Sequence, residues 1–404
     1  MTNPRLAVYF VLFTVMLDAI GIGLIMPVMP QLLLELGNAD LSRAAVWGGV
    51  LSSVFAVMQF GFGPMLGNLS DRFGRRPILL ISLFLMCVDY LIMGFAGNIW
   101  VLFVGRIVHG ITAANHSTAA AVIADVSEPE NKAANFGLLG AAFGVGFIMG
   151  PLLGGFLSEW NVRAPFFGAA VLVLINMVFG YFVLVETVTA DRRRPFRWSR
   201  ANPLGAFRAL STLPGQARMM LVVFLHEMSF IVYPVVWAYF TVERYGWDAK
   251  MVGISLACFG FLLAVVQGGL TRVLVPRFGE YRVTVFGLWI NVVAFVLVAF
   301  NPLGWLVFVF LPLTTLGEVS SPAIQGIMSR AVPNDAQGEL QGIVASIRAV
   351  AMVIGPLLMT GLFSIFTRDG TLLYFPGAPF LMAMMFALAA LAVLAGVKEK
   401  RPAG

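Results

Sequence analysis

Apolar stretches of about 20 residues or more recur along this chain, separated by short polar or Pro/Gly breaks, and they limit the fold more than any other feature. A run of that length matches the thickness of a bilayer, where every backbone amide must be paired within the chain itself. The runs lie near 6–36, 46–67, 77–96, 98–124, 133–158, 164–186, 219–242, 250–275, 281–300, 303–328, 337–364 and 376–397. They are continuous rather than alternating, so they predict helices and not the strands of a β-barrel. With 59% hydrophobic and 11% charged residues in 404, a water-soluble domain could not hide so much apolar surface. The first run, from Leu6 to Leu36, is too long for a cleaved leader and lacks a small-residue cleavage site. Cys87 and Cys258 both fall inside predicted spans, which excludes a disulfide framework and a thiol metal cluster.

The basic residues follow topology, not nucleic-acid binding. Of the 26 Lys and Arg residues, 19 lie on the side that carries both ends of the chain, 5 on the other side, and 2 within spans. That bias places both termini on the cytoplasmic side of the cell's inner (plasma) membrane, which requires an even number of spans. Arg192, Arg193, Arg194, Arg197, Arg200, Arg208 and Arg218 crowd the segment 187–218, where they retain the loop and attract anionic headgroups. The expected organisation is a bundle at 1–186, a basic linker at 187–218 and a second bundle at 219–404.

The two bundles are copies. Phe73-Gly74 recurs as Phe278-Gly279, Trp100 as Trp305, Gly137 as Gly342 and Gly150-Pro151 as Gly355-Pro356, each displaced by 205 positions. Holding one offset across four spans and their loops points to duplication of a six-span unit. Parallel repeats of this kind rock about a site near the bilayer midplane, giving alternating access.

Between the second and third spans stands Gly67-Asn68-Leu69-Ser70-Asp71-Arg72-Phe73-Gly74-Arg75-Arg76-Pro77. This order resembles the signature loop of the major facilitator superfamily; the second copy, Gly269 to Glu280, is degenerate. Leu17-Asp18-Ala19-Ile20-Gly21 through Pro30 is similar to the first span of tetracycline efflux proteins, and Arg106-Ile107-Val108-His109-Gly110 fits the superfamily's fourth-span arginine motif. The fifth span carries Gly140, Gly144, Gly146, Gly150-Pro151 and Gly154-Gly155, similar to the motif of proton-coupled antiporters. The resemblance implies an all-α fold of twelve transmembrane helices in two six-helix bundles, and a proton-coupled exporter of an amphiphilic small molecule. Physically, glycines four apart let helix backbones approach, and Gly-Pro softens a helix. Packing alone and a hinge are both open for them.

Ionisable residues inside spans are costly and usually pair or function. This chain has Asp18, Asp89, Glu227, Glu318, Arg106 and Arg348 there, with all three histidines, His109, His116 and His226. Arg106, His109, Ala113 and His116 share one helical stripe. Histidine titrates near neutrality and a desolvated carboxylate can be raised toward it, so the set can exchange protons at physiological pH. The resemblance implies an Asp18–Arg106 pair at a central cavity, with Gln59 and Asp89 along the substrate path. His226 and Glu227 are neighbours about 100° apart on a helix, so at most one of them points straight into the cavity, with Glu227 the choice. Tetracycline exporters carry an acid in the ninth span, where this chain offers Asn291; Glu227 and Glu318 are the candidates to replace it.

Tyr233 and Trp237 suit either stacking on a planar cargo or an interfacial aromatic belt. The expected coupling set is thus Asp18, Arg106, Asp89, Glu227, Glu318 and His109. The expected cargo contacts are Gln59, His116, Asn291, Tyr233 and Trp237. The expected gating positions are Gly67, Asp71, Arg72, Gly74, Arg75, Arg76, Gly150, Pro151, Gly355 and Pro356. Neither a nucleophile–base pairing nor a phosphate-cradling loop is present to suggest an enzyme, and no cofactor, resident metal or nucleic acid is expected. The partners are a small amphiphile, protons and lipid, with the chain acting as a monomer. Import of a solute or metal chelate on the same fold, and a transition-metal site at His109 and His116, are the alternatives.

Overall fold

A computed structural model describes residues 4–37, 40–112, 115–128, 131–188, 193, 195–196, 216–333 and 336–396. The first repeat folds as α1 (Pro4–Glu35), α2 (Leu41–Phe73), α3 (Arg75–Gly94), α4 (Ile99–Thr112), α5 (Asn115–Val126), α6 (Lys132–Ser158) and α7 (Ala164–Val183). The second comprises α8 (Ala217–Phe230), α9 (Val232–Tyr245), α10 (Ala249–Val265), α11 (Thr271–Phe278) and α12 (Glu280–Phe300). It continues through α13 (Leu306–Leu316), α14 (Ser320–Arg330), α15 (Gln337–Thr367) and α16 (Ala378–Ala395). Eleven helical stretches among the described residues are long and apolar enough to cross a membrane, and α4 with α5 occupies the predicted fourth span. The twelve-helix reading is consistent with that count. The linker residues Arg192, Arg194, Arg197, Arg200 and Arg208 lie outside the described residues.

Glycine shapes the turns and the seams. Gly74 and Gly279, 205 apart, both take positive φ (108° and 79°) and let α2 turn into α3 and α11 into α12. The seam between α1 and α6 is closer than side chains allow: a Cβ on Gly146, Gly150 or Gly154 would fall 2.2, 2.5 or 2.3 Å from the carbonyl oxygens of Met16, Ile20 and Leu24. Both series step by four residues, so two helical ridges meet backbone to backbone.

Two compact units emerge, and they differ from the expected halves by an exchange of helix starts. The first holds Met1–Ala39, Leu51–Gly205 and Asp248–Ala257; the second holds Asp40–Val50, Ala206–Trp247 and Cys258–Gly404. Within the first unit, the start of α10 lies on α6: a Cβ on Gly253 would come 2.3 Å from the Pro151 carbonyl oxygen, and Lys250 pairs with Glu159 at 2.8 Å. Within the second, the start of α2 lies on α15: a Cβ on Gly49 would come 3.0 Å from the Pro356 carbonyl oxygen, and the Ser42 and Ser364 hydroxyls meet at 2.9 Å. The two Gly-Pro units of the repeat therefore receive equivalent helix starts.

Two spans of the second repeat leave regular α geometry. Val266–Leu270 forms a π turn between α10 and α11, and Gly317–Val319 a 3-10 turn between α13 and α14. Such irregular turns collect at functional sites because they re-aim side chains that a straight helix could not present.

Candidate functional site

In the first repeat, α3 and α4 bring Asp89 and His109 together from 20 residues apart. Asp89 is fully buried, and its Oδ2 lies 2.6 Å from His109 Nδ1. The histidine ring packs against Phe55 at 5.2 Å and meets the edge of Tyr90 at 5.3 Å. Gly110 allows this, because a Cβ there would strike the Phe55 carbonyl oxygen of α2 at 2.6 Å. Gln59 follows one turn later on α2, half-buried. The Tyr90 hydroxyl abuts Gly21 of α1, where a Cβ would sit 1.6 Å away, and Asp18 lies one turn earlier on the same helix.

Three polar atoms in this region, Asp18 Oδ1, Asp89 Oδ1 and Tyr90 Oη, are buried without a hydrogen-bond partner. Natural proteins satisfy nearly all such atoms, so an unpartnered group marks a site for a proton, water or ligand. Among the described residues the Asp18–Arg106 ion pair expected from the resemblance does not form; the acid of this repeat that is paired inside a span is Asp89. Arg106 is buried on α4 one turn before His109.

In the second repeat, Glu318 sits on the 3-10 turn, 2% exposed, with Oε1 accepting from Asn291 Nδ2 at 3.0 Å and Oε2 lying 3.5 Å from His226 Nε2. Gly317 is glycine for space, since a Cβ there would fall 1.9 Å from Asn291 Oδ1. Glu227, next in the chain to His226, turns instead to Arg348 at 2.8 Å, and the Arg348 Nη2 also donates to Gln325 Oε1 at 3.3 Å. The roughly 100° between successive residues thus sends the two neighbours to different partners. Each repeat holds one buried carboxylate facing a histidine. Gaining or losing a proton decides whether such a pair carries net charge, which in a low-dielectric bundle is costly to leave uncompensated.

The structure buries three expected cargo contacts. Tyr233 and Trp237 stand among aromatic rings, Tyr233 stacked on Phe295 at 5.6 Å and Trp237 edge-on to Phe380 at 6.1 Å, and not in an interfacial belt. Asn291 is fully buried and engaged with Glu318. The side chain of His116 lies outside the described residues. Among the described residues no group of three or more His, Cys, Asp or Glu is placed to hold a metal ion.

At the signature loop, Arg75 bonds Ser70 Oγ and Asp71 Oδ1, both at 2.6 Å, and reaches Asp125 at 3.4 Å. Arg76 donates to the Tyr181 carbonyl at 2.7 Å, and Arg72 lies over the Phe73 ring. The Ser70 hydroxyl bonds the Gly67 carbonyl at 2.8 Å. Sequence reasoning missed the anchor of this loop, Glu186. Its carboxylate accepts the backbone N–H groups of Arg75 (2.8 Å), Arg76 (3.2 Å) and Val188 (2.9 Å), capping the N-terminus of α3 where the helix dipole favours an anion. One oxygen lies 2.1 Å from where a Gly74 Cβ would be. The sole signal was an acid ending an apolar run.

The model of the Major Facilitator Superfamily matches residues 11–356 and again 219–404. The chain is 41% identical over 358 residues to the tetracycline resistance protein, class C, of Escherichia coli, covering 89% of this chain and 90% of that protein. It is 40% identical over 362 residues to the class G protein of Vibrio anguillarum, with coverage of 89% and 91%. A bacterial homologue of the human lysosomal transporter Spinster superposes with a TM-score of 0.80 at 16% identity, over 100% of both chains, which concerns the fold alone.

Proposed function

The chain belongs to the major facilitator superfamily, and from that premise we propose that it exports a tetracycline-like amphiphile across the bacterial inner membrane in exchange for protons. It is a multi-pass membrane transporter and not an enzyme. The observation that carries the coupling is the buried Asp89–His109 pair beside the unpartnered oxygen of Asp18. A proton arriving there neutralises charge that the low dielectric makes expensive, and its release restores that charge. Opening toward one side or the other differs in how much water reaches these groups, so protonation and orientation are linked.

Arg106 and the second-repeat acids Glu318 and Glu227 complete the exchange network. Gln59 contributes to the cargo path, and His109 relays the proton. The Gly74 turn, its arginines and the Gly150-Pro151 and Gly355-Pro356 units make up the moving parts. Both termini face the cytoplasm, and a single chain is the working unit.

The test is coupled flux in proteoliposomes carrying an internal pH dye. Wild type should accumulate tetracycline against its gradient when a proton gradient is imposed, with matching counterflow of protons. Asp18→Asn should lower proton movement at least tenfold while tetracycline binding persists. Unchanged coupled flux in that variant removes Asp18 from the mechanism; wild-type flux indifferent to collapse of the gradient removes the antiport reading.

A further inference from the structure

We propose that the second repeat carries a cargo subsite of its own, an amide-lined groove that recognises the uncharged, oxygen-rich edge of an otherwise apolar molecule. The inference rests on the exporter reading and names the chemistry of the cargo. A cavity of about 420 Å³ opens among Gln267, Ser321, Gln325, Ser329 and Gln341. That lies within the range of small-molecule sites, roughly 300–1,000 Å³. Its residues come from three spans. Gln267 is carried by the π turn, Ser321, Gln325 and Ser329 form a four-residue stripe along α14, and Gln341 stands on the first turns of α15.

Gln267 would be out of place in lipid. It is exposed well inside a stretch apolar enough to span a membrane, and Gln341 is exposed in the opening turns of another. A primary amide turned toward hydrocarbon would forfeit its hydrogen bonds, so polar groups exposed within spans line water.

The lining selects its ligand by having donors and acceptors but no net charge. The Gln325 amide donates to Gln341 Oε1 at 2.8 Å and accepts from Arg348 at 3.3 Å. The Arg348 cation is matched by Glu227 at 2.8 Å, and the Glu280 carboxylate, which lies against the lining residue Gly326, by Arg330 at 2.7 Å. The Ser329 hydroxyl is turned to Gln337 at 3.0 Å. What the groove offers is the Gln341 amide N–H groups, the Gln267 amide and the Ser321 hydroxyl. Their complement is a row of hydroxyl and carbonyl oxygens, not an ammonium or a carboxylate.

The test is equilibrium dialysis of the purified full-length protein, with tetracycline as the oxygen-rich probe and tetraphenylphosphonium as an apolar cation without oxygens. Gln267→Leu and Gln341→Leu alter exposed positions, so elution profile and melting temperature should match wild type. Each should weaken tetracycline binding about tenfold, the worth of one hydrogen bond, and leave tetraphenylphosphonium binding within twofold. Gln341→Asn, a shorter amide, should recover most of the loss. Tetracycline affinity within twofold of wild type in both leucine variants, or equal weakening of both probes, overturns the subsite. Binding that responds as stated while gradient-driven flux fails sinks the exporter reading instead.

Discussion

Among the described residues, Asp89 and Glu318 are the acids buried at or below 2% exposure, and each meets a histidine from another helix. That such residues matter was legible, because any carboxylate in an apolar run is anomalous. Their partners were not: His226 and Glu318 are 92 positions apart, and nothing along the chain relates them. The pairing of Asp18 with Arg106 was what the resemblance implied, and the fold gives the histidine to Asp89. At Glu318 the prediction concerns stability. Glu318→Gln keeps the volume and can still accept from Asn291, so its melting temperature in detergent should stay near wild type. Glu318→Leu leaves the Asn291 amide and the His226 ring without an acceptor, at a cost of about 1–3 kcal/mol. Equal melting temperatures for the two variants would show that the contact is not supporting the fold.

Among the helices, the glycine pattern was readable as close packing, but not what it packs against. Gly146, Gly150 and Gly154 proved to sit on three carbonyl oxygens of α1, one turn apart. Gly150→Leu must push α1 from α6, since even a Cβ would come within 2.5 Å of the Ile20 carbonyl oxygen. Overpacking of this kind costs about 1–3 kcal/mol, and the expected outcome is a lower melting temperature with transport reduced severalfold. Gly137→Leu, where a Cβ meets nothing within 4 Å, should be tolerated and serves as the control. Transport and stability unaffected by Gly150→Leu would mean the seam is looser than the structure has it. Tyr233 and Trp237 show the converse limit: an aromatic near a span end reads as a belt or a ligand platform, and only packing shows it to be core.

For the whole molecule, the offset of 205 positions extends to an ion pair. Arg75 meets Asp125 at 3.4 Å in the first repeat, and the residues 205 further on, Glu280 and Arg330, pair at 2.7 Å with the charges exchanged. The duplicated geometry survived while its polarity reversed, which is why the second signature loop looked degenerate in sequence. Its glycine also lacks the carboxylate: among the described residues no atom lies within 4 Å of a Gly279 Cβ, where Glu186 fills the equivalent place at Gly74. Topology gives a further prediction from the 19-to-5 division of basic residues across the two sides. Green fluorescent protein fused to either terminus should fluoresce, and alkaline phosphatase fused there should be inactive. An active phosphatase at the C-terminus would reverse the assigned orientation.

Membrane residence, helix number, the duplication and the presence of costly buried charges were all determined by the sequence alone. Each follows from local runs, composition or spacing, and a bilayer admits few structures that satisfy the backbone. Which acid meets which histidine, which carboxylate caps α3, and which exposed amides share a groove were decided only by tertiary structure. Those contacts join helices far apart in the chain, and their partners are selected by backbone approach at glycines and by two irregular turns, whose side-chain directions no straight-helix periodicity contains.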